Sequence, residues 1–413
     1  MVENRESAIA GYTLSVRKNS RLFVVVALVL FALVAQVLPA WSKVSGAKSA
    51  RDYATYHYAV QEAFSGGDPY VKRSLSRRAK DEGTRKSVHP YFYPPPFLLL
   101  MFWAVPLTLE QGYRLFFFVN QAALLGVLWC MRRWFAPSAA VLAFVAATLS
   151  PVADSAKMGQ ANLLVLLLAV VGLWRLRGGV LSIAAMAKMS PALYLVWWAI
   201  QRRWKPVLMA ILGAILLSVA VLPLVDLRVQ MKFYTEILPG FSSGQYHGLT
   251  VPITLPANHS IPDLYNQLWP GETNHILSPI AQRAASLTTL GLLGALAVLS
   301  RRSRDPLGQA NIAGSFTCLL IVTPVYAYEH HLALVLLPAA ALGAAVENGR
   351  LPRWSLPLIG LSYFCVAWPL FWLRAAQGVL PDAAHWWLQE CKFFGVVMLG
   401  LFCIVAATRS PRS

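Results

Sequence analysis

The chain is 413 residues long, 57% apolar and only 13% charged, with a mean hydropathy of +0.53. A soluble globule carries about 25% charged residues, so the charges here cannot cover a water-facing surface and most of that surface must meet lipid. Lys plus Arg is 36 against 18 for Asp plus Glu, a formal charge of +18. With no nucleic-acid motif in the chain, that excess points to membrane orientation, anionic headgroups or a phosphate-bearing substrate.

Taken in order, apolar runs of membrane-crossing length are predicted near 22–41, 113–131, 138–153, 160–174, 206–225, 280–299, 308–327, 331–346, 354–373 and 389–407. The first is too long for a cleavable signal and reads as a retained span. Two stretches, 94–109 and 179–200, are ambiguous. Short loops carry Arg132-Arg133, Arg175 with Arg177, Arg202-Arg203 with Lys205, Arg301-Arg302 with Arg304, Arg350 with Arg353, and Arg409 with Arg412. The positive-inside rule puts them all in the cytoplasm beside Arg17, Lys18 and Arg21. That holds only if 94–109 and 179–200 are half-spans returning to their own side, which the Tyr93-Pro94-Pro95-Pro96 run and the break at Lys188-Met189-Ser190-Pro191 favour.

The expected fold is therefore an all-α polytopic membrane protein, one transmembrane domain over 1–413. Its two long loops, 42–93 and 226–279, lie on the exoplasmic side and bear short interfacial helices. The five cysteines sit mostly in apolar segments without a Cys-x-x-Cys pair and are predicted to be small core residues, with no disulfide framework and no zinc site.

The residues able to do chemistry gather near those loops. Asp52 follows the first span closely, at the start of a helical pattern running through Tyr56 to Phe64. It serves either as the helix cap or as a general base for a hydroxyl at the membrane surface. Asp68-Pro69 reads as a turn. Tyr91-Phe92-Tyr93-Pro94 is an interfacial aromatic anchor or a stacking surface. Gly159-Gln160-Ala161-Asn162 is a plain turn or a pair of amides that hold hydroxyls. Lys188 interrupts an apolar stretch, where an ammonium is costly unless paired, and is a candidate for a phosphate. Loop two offers Gln245-Tyr246-His247 and Asn258-His259-Ser260. Glu329-His330-His331 opens a span, either as a polar helix end or as a ligand site for phosphate or metal, with too few partners for zinc. The basic stretch 72–86 is a solvated loop or a contact for an anionic acceptor or headgroup.

Together these pieces resemble the polyprenyl-phosphate-sugar-dependent glycosyltransferases of the GT-C membrane class, and within it family 87, which includes bacterial α-1,2-mannosyltransferases. The resemblance rests on Asp52 with Tyr56, Gly67-Asp68-Pro69-Tyr70, Tyr93-Pro94-Pro95, Gly159-Gln160-Ala161-Asn162, Lys188 with Pro191, Asn258-His259-Ser260 and Glu329-His330-His331, in that order. Asn-His-Ser stands where Asn-Gln-Ser is more usual, and 72–86 is unusually basic.

The resemblance implies a GT-C-like bundle of about 10–12 transmembrane helices. It also implies transfer of a hexose, mannose foremost, from a polyprenyl-phosphate donor to a lipid or glycan acceptor. Asp52 would be the base; Lys188, His330 and His331 would hold the leaving phosphate; Tyr56, His57, Tyr93, Gln160, Asn162, Asn258 and Glu329 would shape the sugar and acceptor site. No cofactor and no obligatory metal are expected. The implied location is a bacterial inner membrane with the site facing the periplasm or exterior. A transporter or flippase of a polyisoprenoid-linked or other anionic lipid is the reading from a different class, since broken helices and a buried lysine serve transport equally well.

Overall fold

The computed structural model describes residues 22–46, 50–245, 252–302, 305–376, 379 and 381–409. Arg17, Lys18, Arg21, Tyr246, His247, Arg304 and Arg412 lie outside them. The architecture is all-α, the only β feature among the described residues being an isolated bridge between Asn258 and Tyr328.

The principal helices are α1 (Leu22–Val44), α2 (Arg51–Phe64), α3 (Lys72–Asp81), α4 (Leu109–Phe135), α5 (Ala139–Thr148), α6 (Ser150–Met158), α7 (Asn162–Arg175), α8 (Gly178–Ala187), α9 (Leu193–Ile200) and α10 (Trp204–Ala220). They continue with α11 (Ile261–Leu268), α12 (Pro279–Leu299), α13 (Pro306–Val322), α14 (Leu336–Glu347), α15 (Leu356–Ala367) and α16 (Asp382–Thr408).

Local chemistry fixes several of their ends. Thr108 and Gln111 form a reciprocal capping box at the start of α4. Ser138, Ser278 and Asp305 cap α5, α12 and α13 through their side chains, the last two followed by proline at the first helical position.

The bundle is inverted relative to a soluble protein on its outer helices. Leu208, Leu212 and Leu216 of α10 and Leu287 and Leu290 of α12 are exposed, forming apolar stripes that fit lipid. At the centre, every residue of α13 from Leu307 to Val322 is buried. This is an all-α polytopic membrane protein. Among the described residues five helices are long and apolar enough to cross a bilayer, six if the pair α5–α6, bent by 58°, counts as one.

A chain of contacts ties the short basic loops to one face. The Ser138 amide donates to Glu347 (3.0 Å), and Arg350 binds Asp305 (2.6 Å) and the Arg409 carbonyl (3.5 Å). Arg203 reaches Gln309 (3.3 Å) and Gln201 reaches the Ser300 carbonyl (3.1 Å). Gly178 touches the next basic loop so closely that a Cβ there would lie 1.9 Å from the Pro206 carbonyl oxygen. The segment from Gly178 to Pro206 thus leaves this face through α8, breaks at Lys188 and comes back through α9, with both feet in one place. The 94–109 stretch is likewise no complete span: Phe97–Met101 and a 3-10 turn over Phe102–Ala104 make about 12 Å of helix at 1.5 Å per residue. On the opposite face, α2 packs on the start of α4, Tyr53 stacking on Tyr113, and α3 packs on α2 through the Arg78–Glu62 ion pair.

Candidate active site

The helix α2 begins at Arg51 with Ala50 as its N-cap residue, which makes no side-chain cap. Asp52 is therefore not the cap. It sits in the first turn, where the helix dipole favours an anion, and its side chain faces a cavity of about 1200 Å³. Its Oδ2 is shut off from solvent and has no hydrogen-bond partner. Burial pushes the Asp52 carboxyl above the ordinary carboxylate range, against a hydrogen bond from Gln160 and the nearby positive groups His89, Lys188 and Arg51.

Gln160 is delivered by a turn that only glycine permits. Gly159 ends α6 in the left-handed region (φ 69°), and a Cβ on it would lie 2.6 Å from Cβ of Tyr53. The hydroxyls of Tyr56 and Tyr93 are 2.7 Å apart and stand 2.9 and 3.1 Å from Gln160 Oε1. With its oxygen engaged by two phenols, the amide presents its NH2 end to Asp52. Tyr56 and Tyr93 pack edge to face, and Tyr93 stacks on Phe97, so the proline-rich re-entry holds the ring that orients the amide.

Lys188 and a pair of imidazoles also border the cavity. Lys188, at the break between α8 and α9, donates to Asn162 Oδ1 (2.6 Å), and Asn162 Nδ2 donates to the His330 carbonyl (2.8 Å). One amide at the start of α7 thus locks the lysine to the His330-His331 segment. The two imidazoles stand 4.4 Å apart, edge to face, and both line the cavity with Lys188.

Glu329 also borders the cavity, but both its oxygens are taken. His259 Nε2 lies 3.1 Å from Oε2 and Lys392 Nζ lies 3.0 Å from Oε1, all three side chains being buried. It acts as a fastener between loop two, the His330-His331 segment and α16.

Asp52, Tyr56, Tyr93, Gln160, Lys188, Glu329, His330 and His331 therefore share one cavity, while three predicted residues lie outside it. Asn162 stands behind Lys188 as its anchor. Asn258 spends its amide on backbone: Nδ2 donates to the carbonyls of Ile253 (2.9 Å) and Val325 (2.8 Å), and Oδ1 accepts from the Ala327 amide (2.7 Å). It splices loop two to the α13–α14 connection, and both of its amide hydrogens are taken. His57 is buried among Tyr53 and Tyr58 beside Gln61, and burial lowers its pKa to about 4, leaving a neutral ring. Asp68 forms the expected turn, its Oδ1 accepting from the Tyr70 amide (2.8 Å).

Sequence reasoning passed over His89 and Lys392. His89 lines the cavity within electrostatic reach of Asp52; its only signal was its place just before the Tyr91-Phe92-Tyr93 run. Lys392 had a stronger one, an ammonium inside an apolar span, the same sign that singled out Lys188. Lys43 and Arg51 also border the cavity, and Leu193, Leu320, Ile321, Leu334 and Phe371 give it a long apolar wall. Among the described residues no group of three or more His, Cys, Asp or Glu side chains is arranged to hold a metal ion.

Residues 91–324, more than half of the chain, match the family model described as glycosyltransferase family 87. The match takes in Tyr93, Gln160, Asn162, Lys188 and Asn258, and stops short of Asp52 and Glu329-His330-His331. No curated protein matches the chain. Among solved structures, the chain is similar to the crystal structure of ArnT from Cupriavidus metallidurans in the apo state. That similarity has a TM-score of 0.41 and 14% identity, over 92% of this chain and 75% of that one.

Proposed function

Since the chain belongs to glycosyltransferase family 87 and is thereby a membrane glycosyltransferase, we propose that it moves a hexose, mannose foremost, from a polyprenyl-phosphate donor to a lipid or glycan acceptor. Transfer inverts the anomeric centre and takes place at the exoplasmic face of a bacterial inner membrane. The observation that carries this reading is the single cavity shared by Asp52 and the group Lys188, His330 and His331.

In this mechanism Asp52 accepts the proton of the acceptor hydroxyl as that oxygen bonds to the anomeric carbon. The bond from that carbon to the phosphate oxygen breaks, and polyprenyl phosphate leaves. Negative charge builds on the leaving phosphate, and a preorganised cation stabilises it more in the transition state than in the ground state. Lys188 is held for that task by Asn162. The apolar wall gives the isoprenoid a path into the bilayer, and Tyr56, Tyr93 and Gln160 border the space for the sugar. The gathering of the basic loops on the far face supports a site outside the cell.

No obligatory divalent metal is needed, because side-chain cations do its work on a monophosphate. Full transfer after EDTA treatment is the expected result, and a loss restored by Mg2+ or Mn2+ overturns that clause.

The deciding experiment supplies purified Asp52→Asn and wild-type protein with radiolabelled polyprenyl-phosphate mannose and candidate acceptors. Loss of a positioned general base lowers transfer by about 10²–10⁴-fold while donor binding persists. Unchanged transfer by Asp52→Asn ends the assignment of the base. Donor movement across vesicles without transfer by wild type returns the question to transport.

A further inference from the structure

The seam between α15 and α16 holds two cysteines that the proposed transfer does not use. On α16, Cys391 and Gly395 are four residues apart and share a face. Gly395 stands where α15 comes closest: a Cβ there would lie 2.7 Å from the Ser362 carbonyl oxygen and 3.1 Å from Cβ of Cys365. Next to Cys391, Lys392 donates to the carbonyls of Val366 (3.0 Å) and Trp368 (2.6 Å), just beyond Cys365. The helices are thus held together on both sides of Cys365, which faces the turn of α16 that runs from Cys391 to Gly395. Both cysteines are free and partly exposed. The wall segment Pro369–Phe371 of the cavity follows immediately.

A second cysteine pair in the same region gives an internal comparison. Cys318 of α13 faces α16 beside Gly400, and Cys403 of α16 faces Gly314 of α13, but both are buried in the bundle. The Cys403 thiol is directed at the Pro338 carbonyl (3.8 Å). Of the two pairs, only Cys365 and Cys391 keep part of their surface outside the packed bundle, where an oxidant can reach them.

We propose that Cys365 and Cys391 form a modification site: a dithiol that closes to a disulfide and fixes the α15–α16 joint beside the cavity wall. The oxidant is an external disulfide, either a thiol–disulfide oxidoreductase in its oxidised form or oxidised glutathione. One cysteine thiolate attacks a sulfur of that disulfide and expels a thiolate; the second cysteine then resolves the mixed disulfide and releases the other thiolate. Two protons and two electrons leave the pair, and the external disulfide becomes two thiols. An oxidising exoplasmic compartment favours the closed form. The site requires neither the donor nor the acceptor proposed above.

The test treats the full-length protein, in detergent and in native membranes, with oxidised glutathione. Remaining thiols are then alkylated under denaturing conditions and the chain is digested without reductant. The expected result is a cross-linked peptide joining Cys365 to Cys391 and short of two hydrogens, with free thiols falling from five to three. In C365S and C391S every remaining thiol stays alkylatable, and D52N oxidises like wild type whatever its transfer activity. Five alkylated thiols after oxidation, or a cross-link joining Cys318 to Cys403 in its place, overturns the proposal.

Discussion

Lys392 Nζ lies 3.0 Å from Glu329 Oε1, both side chains being almost wholly out of solvent, so the final helix of the bundle is ion-paired to the residue that precedes the twin histidines. The bond joins parts of the chain 63 residues apart, and His259 completes it from loop two. Removing one partner of such a buried pair leaves an uncompensated charge and costs about 3–5 kcal/mol. Lys392→Met is therefore expected to destabilise the purified protein by that amount in chemical unfolding. The double variant Lys392→Met with Glu329→Gln should lose clearly less than the sum of the singles. Additive losses would show that the two side chains are not coupled.

Asp52 governs the acidic limb of the pH–rate profile if it is the base, because only its ionised form accepts a proton. Burial raises its pKa, so transfer should fall on acidification at a pH above the ordinary aspartate value of 3.8. His89 works in the opposite direction, its positive form favouring the carboxylate. His89→Gln withdraws that support, so the acidic limb of kcat/KM is expected to move to higher pH. A limb that stays put, or moves down, separates His89 from the base.

Gly159 meets two independent demands, a left-handed backbone and a lack of room for Cβ. Gly159→Ala should abolish transfer and lower the unfolding midpoint, because the turn that presents Gln160 cannot close. Gly159→Asn separates the demands: asparagine tolerates the left-handed region but still meets Tyr53. If the clash dominates, Asn gives no recovery over Ala; substantial recovery would assign the effect to backbone conformation alone.

Asp263 in α11 predicts a pH dependence of stability of its own. Burial, reinforced by the neighbouring Glu390, raises its pKa to about 8 from an ordinary 3.8. The folded state thus holds a proton that the unfolded state releases. The stabilisation is complete below about pH 4, is lost progressively as pH rises, and is gone above about 8. Asp263→Asn should flatten the fall in unfolding free energy between pH 5 and 8, as followed by denaturant titration at each pH. An identical slope in wild type and variant would remove Asp263 as its source.

Much of the fold is legible because lipid imposes a simple rule: ten predicted apolar runs coincide with helices or helix pairs, and proline or lysine marks the elements that break. The charged loops were readable as a group for the same reason. What escaped notice depends on distant contacts. Asn258 looks like a sugar ligand in its local sequence, and only the carbonyls of Ile253 and Val325 show that its amide is already committed. Asn162 and Lys188 were both singled out, but their union through a 2.6 Å bond across 26 residues has no local signature. His57 adjoins Tyr56 in the sequence, but successive helical residues point to different faces, and of the two only Tyr56 lines the cavity.

The two feet of the excursion between Gly178 and Pro206 are planted together, which turns the helices above them into a ruler. The height of Lys188 is set by the ten residues of α8, at about 1.5 Å each. One residue added there would lift the ammonium by a single rung and swing it through about 100°, out of line with Asn162. The length of this leg must therefore keep step with the thickness of the bundle.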